Sequence, residues 1–243
     1  MAEHQPDPLA LPAEEMKAVL AGTPERAAAL LRAGAEAGLA EAQAAYGQLL
    51  LDGRGVRQDA RAALDWFRKA ARSGHRMGMN MVGRCYEKGW GVAEDRVAAA
   101  HWYKAAAEAG LDWGMYNYGS ALGLGAGVAK DEATALDWFR RAAALGHAKS
   151  INFVGTFLEE GRVVPRDMAG AALCYRQAAE RGDFRGAFNH ARLLAEAGRL
   201  DEALVWIGRA GEGATPHYRG VMRRYLDASP VAVLRRAGAV LAG

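Results

Sequence analysis

Slid against itself, the chain shows one dominant offset, 36 residues, and that periodicity limits what it can fold into more than any other feature. Gly47, Gly83, Gly119 and Gly155 hold one column of the repeat, and Val56, Val92, Val128 and Val164 a second. Asp59, Asp95, Asp131 and Asp167 hold a third, and Gly74, Gly110, Gly146 and Gly182 a fourth. Independent columns kept in one register describe a chain made of copies of a small supersecondary unit. Such a unit cannot bury its apolar face alone and is stable only when stacked on its neighbours.

Each unit reads as a helical hairpin. Its first half carries small or apolar residues at the first, fifth, sixth and ninth positions: Gly78, Val82, Gly83 and Tyr86 in the second unit, Gly114, Tyr118, Gly119 and Leu122 in the third. At about 100° per residue these share one side of a helix. The central Gly, lacking a side chain, lets the paired helix come close, and that packing has to outweigh the roughly 1 kcal/mol that a helical Gly costs. A loop follows, Gly53-Arg54-Gly55-Val56 in the first unit and Gly89-Trp90-Gly91-Val92 in the second, in which glycine ends the helix and Val plugs the gap between helices. The Asp three residues on is placed to cap the second helix. That helix carries Trp66, Trp102 or Trp138 followed by an Ala-Ala pair, with the Trp expected to bury a large apolar area.

Composition agrees with a thin layered α-structure rather than one thick core. The 51% hydrophobic content is swollen by alanine and aromatics are only 8%. The net charge of +3 is the small surplus of 31 basic over 28 acidic residues scattered along the chain, which argues against a nucleic-acid partner. No run approaches the ~20 apolar residues of a membrane helix, and Met1 to Pro12 lacks the basic and apolar regions of an export signal. The expectation is a protein without membrane insertion, cytoplasmic, monomeric or weakly homodimeric. Cys85 and Cys174 differ in repeat register and lack metal-ligand spacing, so both are expected as reduced helical thiols.

The full pattern is small-x-x-x-apolar-Gly-x-x-Tyr/Leu-x-x-Gly-x-Gly-Val-x-x-Asp, then Ala-x-x-Trp-x-x-x-Ala-Ala-x-x-Gly. It resembles the Sel-one-like repeat (SLR) family, relatives of the tetratricopeptide repeats. The resemblance covers five units, about 40–75, 76–111, 112–147, 148–183 and 184–214. It implies an all-α, right-handed α/α superhelical solenoid whose first helices line a concave groove. It also implies an adaptor or scaffold binding a partner polypeptide there, or alternatively a dedicated inhibitor or immunity-type protein blocking one enzyme. Unit four departs from the pattern with Cys174 in the Trp column and a Gly161-Arg162-Val163-Val164-Pro165 loop; unit five has a loop shortened to Gly198-Arg199-Leu200-Asp201. Family members often carry a disulfide joining the helices of each unit, and paired cysteines are missing here. A tail over 1–22, a capping half repeat over 23–39 begun by Thr23-Pro24, and capping helices over 215–243 begun by Thr215-Pro216 and Ser229-Pro230 complete the expected organisation.

Nothing in the chain assembles a catalytic, cofactor or metal site. The Gly-x-Gly loops lack the G-K-[ST] ending and preceding strand of a phosphate loop, and they repeat in structural register. His75 and His147 share one repeat position, and no H-x-x-x-H or H-E-x-x-H occurs, so the histidines are read as structural. The informative surface is the face of each first helix turned from the core stripe. With the small residue as position 1, positions 0, 3, 7 and 10 should project into the groove. These are Met77, Asn80, Arg84 and Glu87 in unit two, and Trp113, Tyr116 and Ser120 in unit three. Unit four contributes Lys149, Asn152 and Thr156, and unit five Arg185, Phe188 and Arg192. Aromatics beside Asn and Arg form the composition of an interface hot spot, in which Asn can clamp a peptide amide and Arg take a carboxylate. On this reading a partner segment of acidic character lies along units two to five. Trp113 and Tyr116 could equally pack between repeats, and for Phe188 that packing is the better expectation.

Overall fold

The computed structural model describes residues 22–240, with side chains to 238. The expected tail over 1–22 lies, but for its last residue, outside the described residues. Among the described residues there are thirteen helices and no strand. A single helix, α1 (Pro24–Glu36), precedes five pairs: α2 (Ala40–Asp52) with α3 (Ala60–Arg72), α4 (Arg76–Lys88) with α5 (Arg96–Glu108), α6 (Asp112–Leu124) with α7 (Glu132–Ala144), α8 (Ala148–Glu160) with α9 (Met168–Glu180), and α10 (Phe184–Glu196) with α11 (Leu200–Gly213). Two more helices, α12 (Pro216–Asp227) and α13 (Ala232–Val240), follow. Helix onsets keep the 36-residue step through Ala40, Arg76, Asp112, Ala148 and Phe184. The chain divides into two compact units, the first ending at Asp131 and the second beginning at Glu132, so the third pair contributes α6 to one and α7 to the other.

In the first unit α2 packs on α3 and α4 on α5, while α3 meets α4 and α5 meets α6. First helices of successive repeats also touch, α2 with α4 and α4 with α6. The second unit repeats the scheme with α8 on α9, α10 on α11, α9 against α10 and α8 against α10; α13 packs on α12 and on α11. Side-chain caps set at least eight of the thirteen helix starts among the described residues. Asp59 accepts from the Ala62 amide at 2.9 Å, Asp95 from Ala98 at 3.0 Å and Asp167 from Gly170 at 2.9 Å, each satisfying an orphan donor of the first turn. Thr23 and Thr215, each followed by a proline, cap α1 and α12 in the same way. His75 and His147 turn out to be caps too: the Nδ1 of each accepts from the amide three residues on, at 3.0 and 3.3 Å. Asp183 fills the same repeat position before α10.

The core column differs from the expected one. The residue after the Trp column, which holds Cys174 in unit four, is buried: Phe67 at 0%, Tyr103 at 4%, Phe139 at 2%, Tyr175 at 1% and Ile207 at 4% exposure. Trp66, Trp102, Trp138 and Trp206 are only half-buried, and cations stack on three of them: Lys69 on Trp66 at 3.6 Å, Arg141 on Trp138 at 4.7 Å and Arg209 on Trp206 at 4.6 Å. Tryptophan at the edge keeps its ring face for a cation, whereas the neighbouring ring points at the partner helix. Cys174 in unit four therefore interrupts the edge column and leaves the core ring, Tyr175, in place.

That ring explains the central glycine. A Cβ on Gly47 would lie 2.8 Å from Phe67, one on Gly83 2.7 Å from Tyr103 and one on Gly155 2.8 Å from Tyr175. In the fifth repeat the ring becomes Ile207 and the glycine becomes Ala191. A second close approach joins neighbouring repeats, where a Cβ on Gly78 would lie 2.9 Å from the Ala70 Cβ and one on Gly114 2.7 Å from that of Ala106.

Candidate functional site

The thirteen residues read as groove-facing separate into three groups. Asn80, Asn152 and Phe188 are buried, at 3%, 4% and 5% exposure; the two asparagines correct the expectation that position 3 looks outward, whereas Phe188 packs inward as expected of it. Within each unit a first helix also contacts the next first helix, α2 with α4, α4 with α6 and α8 with α10, and position 3 of α4 and of α8 falls in that seam. The Asn117 amide donates to Asn80 Oδ1 at 2.8 Å, and two repeats later Asn189 donates to Asn152 Oδ1 at 2.9 Å. A part-buried amide pair of this kind favours one helix register, because the buried Asn80 or Asn152 would otherwise lose its donor. Phe188 is enclosed by Tyr218 and Tyr225 of α12, with centroids 6.3 and 5.5 Å away in edge-to-face geometry.

A second group is half-buried and already engaged. Arg192 Nη2 donates to both carboxylate oxygens of Glu159 at 2.6 Å, and its Nη1 donates to Glu196 at 3.0 Å. Its side chain is 17% exposed, so the guanidinium read as a receptor for a partner's carboxylate is matched within its own chain. Tyr175 donates its hydroxyl to Glu159 at 2.7 Å. Burial pushes the Glu159 carboxyl up, but the hydrogen bonds from Arg192 and Tyr175 outweigh it and hold the group below its ordinary value. Arg185 stacks over Phe184 and Tyr218 at 4.7 and 5.3 Å. The Thr156 hydroxyl donates to the Asn152 carbonyl at 3.2 Å, and Lys149 is half-buried beside it. With Arg192 neutralised, the guanidiniums left for a partner's carboxylate are Arg84 and Arg185, each lying over an aromatic ring.

The third group lies in the first unit and keeps an outward face. Met77 is 38% and Trp113 39% exposed, and Trp113 meets Tyr116 edge-on with centroids 6.1 Å apart. Arg84 lies over the Trp90 ring at 5.0 Å. Glu87 accepts from the Tyr103 hydroxyl at 2.9 Å, and Ser120 donates to the Tyr116 carbonyl at 2.8 Å. Burial, reinforced by Glu87, pushes the Tyr103 phenol well above its usual range, so it stays a donor at any physiological pH. Glu87, Tyr103, Tyr116 and Ser120 border an open cleft of about 320 Å³ formed by α4, α5 and α6. Sequence reasoning found its rim but missed Tyr103, which sat one residue from the Trp taken as the core ring.

No grouping of three or more His, Cys, Asp or Glu side chains able to hold a metal occurs among the described residues, and no described helix is long and apolar enough to cross a membrane. Cys85 is fully buried, which raises its thiol to about 11, while Cys174 is half-buried.

Comparison with curated protein sequences returned no match. Among solved structures, the chain is similar to a Sel1 repeat protein from Oxalobacter formigenes, with 24% identity and TM-score 0.80 over 94% of this chain and 98% of that one. It is similar to c5321, a protective antigen of uropathogenic Escherichia coli displaying an SLR fold, at 24% identity and TM-score 0.73, spanning 94% of this chain but only 52% of that one. Immunity protein Pa5087 from Pseudomonas aeruginosa shares 17% identity and TM-score 0.55 over 83% of this chain and 80% of that one. These likenesses establish the fold as an all-α repeat solenoid. The Sel1 repeat family model matches residues 40–75, 76–111, 114–147 and 148–183, more than half of the sequence, and the observed hairpins carry those boundaries. The chain therefore belongs to the Sel1 repeat family.

Proposed function

We propose that this protein is a non-catalytic interaction scaffold that holds a partner polypeptide against the exposed first-helix face of its first unit, along α4 and α6. Family membership supports protein binding as the general role. The observation that carries the placement is the exposure of Met77 and Trp113 beside Arg84, where a helix serving only the core would show Lys, Glu or Gln. Large side chains with few rotamers give contact area at low entropic cost, which is how hot spots concentrate binding energy.

The test is affinity purification from native lysate with wild type and with the Arg84→Ala/Trp113→Ala double variant. The variant should lose a partner that wild type retains by at least tenfold, corresponding to about 1.4 kcal/mol, with its helical circular dichroism and melting temperature unchanged. Equal recovery of that partner by both proteins would remove this face as the site.

A second reading has one observation behind it, the likeness to an immunity protein of Pseudomonas aeruginosa. On that reading the partner is a single toxic enzyme. Co-expression would then restore growth of cells making a toxin encoded beside this gene, and the double variant would not.

A further inference from the structure

The first and second units hold the same constellation two repeats apart, but differ in what meets its carboxylate. Asn80 and Asn117 pair as Asn152 and Asn189 do, and Tyr103 holds Glu87 as Tyr175 holds Glu159. In the second unit Arg192 reaches across from the following first helix and closes on Glu159. The residue at that position in the first unit is Ser120, whose hydroxyl turns back to its own helix, and an open cleft of about 320 Å³ lies in front of it. Glu87 is thus a carboxylate oriented by a tyrosine but without the guanidinium that its counterpart receives.

We propose that this cleft is a socket for an arginine side chain of the partner polypeptide, taking from outside what Arg192 supplies from within. The proposal rests on the scaffold reading above and gives its partner a chemical feature. A planar guanidinium suits the site, since it can meet the Glu87 carboxylate with two nitrogens while its stem lies along Tyr116 and the exposed Leu124. The charged groups around Glu87 are Lys88, whose Nζ is 3.6 Å from Oε1 with half its side chain exposed, Arg96 on the cleft wall, and Arg84 one turn back on α4. In the second unit these positions are Glu160, Met168 and Thr156. Glu87 is therefore the weaker of the two carboxylates for a cation, as befits a site that must release its occupant, and Lys88 is the group an incoming arginine displaces.

The test uses acetyl-Gly-Arg-Gly-amide and its citrulline counterpart, titrated into the full chain while the backbone amides of Tyr116, Asn117, Ser120 and Ala121 are followed by NMR. The arginine peptide should give saturable shifts confined to those amides, and the uncharged citrulline peptide none. Lys88→Glu should tighten binding about fivefold, the upper end of what an exposed charge pair contributes. Glu87→Gln should abolish the shifts, and Ser120→Arg should abolish them by filling the socket from within. Equal shifts from both peptides, shifts that survive Glu87→Gln, or no saturable response in Lys88→Glu would overturn the assignment. Capture of the partner from lysate undiminished by Glu87→Gln would also overturn it while leaving the scaffold reading intact. Loss of the scaffold reading alone would show as intact peptide shifts in a protein whose partner capture ignores Arg84 and Trp113.

Discussion

At the scale of the residue, the chain keeps a strict volume exchange between a first-helix position and the ring opposite. Gly83 faces Tyr103 so closely that an added methyl would lie 2.7 Å from the ring, whereas the fifth repeat pairs Ala191 with Ile207. Gly83→Ala should destabilise the protein by about 1–3 kcal/mol in urea unfolding despite the better helix propensity of alanine. Adding Tyr103→Ile should recover part of that loss, a favourable coupling that a double-mutant cycle would read directly. Additive penalties would mean the two residues do not share one space. The second residue-scale prediction concerns the fourth loop. Gly55, Gly91 and Gly127 adopt positive φ and press against the backbone that opens the preceding repeat's second helix, at Pro24, Ala60 and Arg96. Val163 holds the corresponding place with φ 55, a conformation that disfavours a β-branched residue. Val163→Gly should therefore raise stability by about 1 kcal/mol, seen as a higher melting temperature. The Gly columns were plain in the sequence, and so was their role in close approach. The identity of the opposing ring was not, because Trp and the following aromatic are both large and apolar. Only the direction of the helix decides which one enters the core.

At the scale of the element, helix starts were legible because capping is local chemistry: Asp59, Asp95 and Asp167 each act on an amide within the next turn. The outward faces were less legible. A two-sided helical wheel assumes one core and one solvent face, but a first helix here also packs against the first helix of the next repeat. That third neighbour took Asn80 and Asn152 out of the surface, α12 covered Phe188, and Met77 and Trp113 were left in it. It also tied α8 to α10 through Glu159 and Arg192, a link with a pH dependence of known sign. The Glu159 carboxyl titrates below its ordinary 4.5 in the folded state, so its stabilising contribution is present above about that pH and is lost as pH falls through the folded value. Melting temperature followed from pH 7 to pH 3 should fall in wild type, and Glu159→Gln, already lower at pH 7, should fall less. Parallel curves for the two proteins would deny the link. Asp183, capping α10 while 5% exposed, shows the opposite balance: burial raises its carboxyl despite the bond from Gly186. Asp183→Asn, which keeps the cap without the buried charge, should be tolerated, whereas Asp183→Ala should cost about 1 kcal/mol in urea unfolding.

At the scale of the whole molecule, the repeat period dictates the class of fold, since glycine-spaced hairpins of one length have little choice but to stack. Function was less legible, because a solenoid's binding face is defined by what remains after every neighbour has packed, and that remainder is small and polar-aromatic here. The account stands on that remainder being an interface. A photo-crosslinking amino acid placed at Met77 on α4, and in a separate protein at Glu108 on α5, tests this most directly in native lysate. The account predicts one dominant crosslinked partner from position 77 and none from position 108. Crosslinking to that partner from position 108 and not from 77 would contradict it.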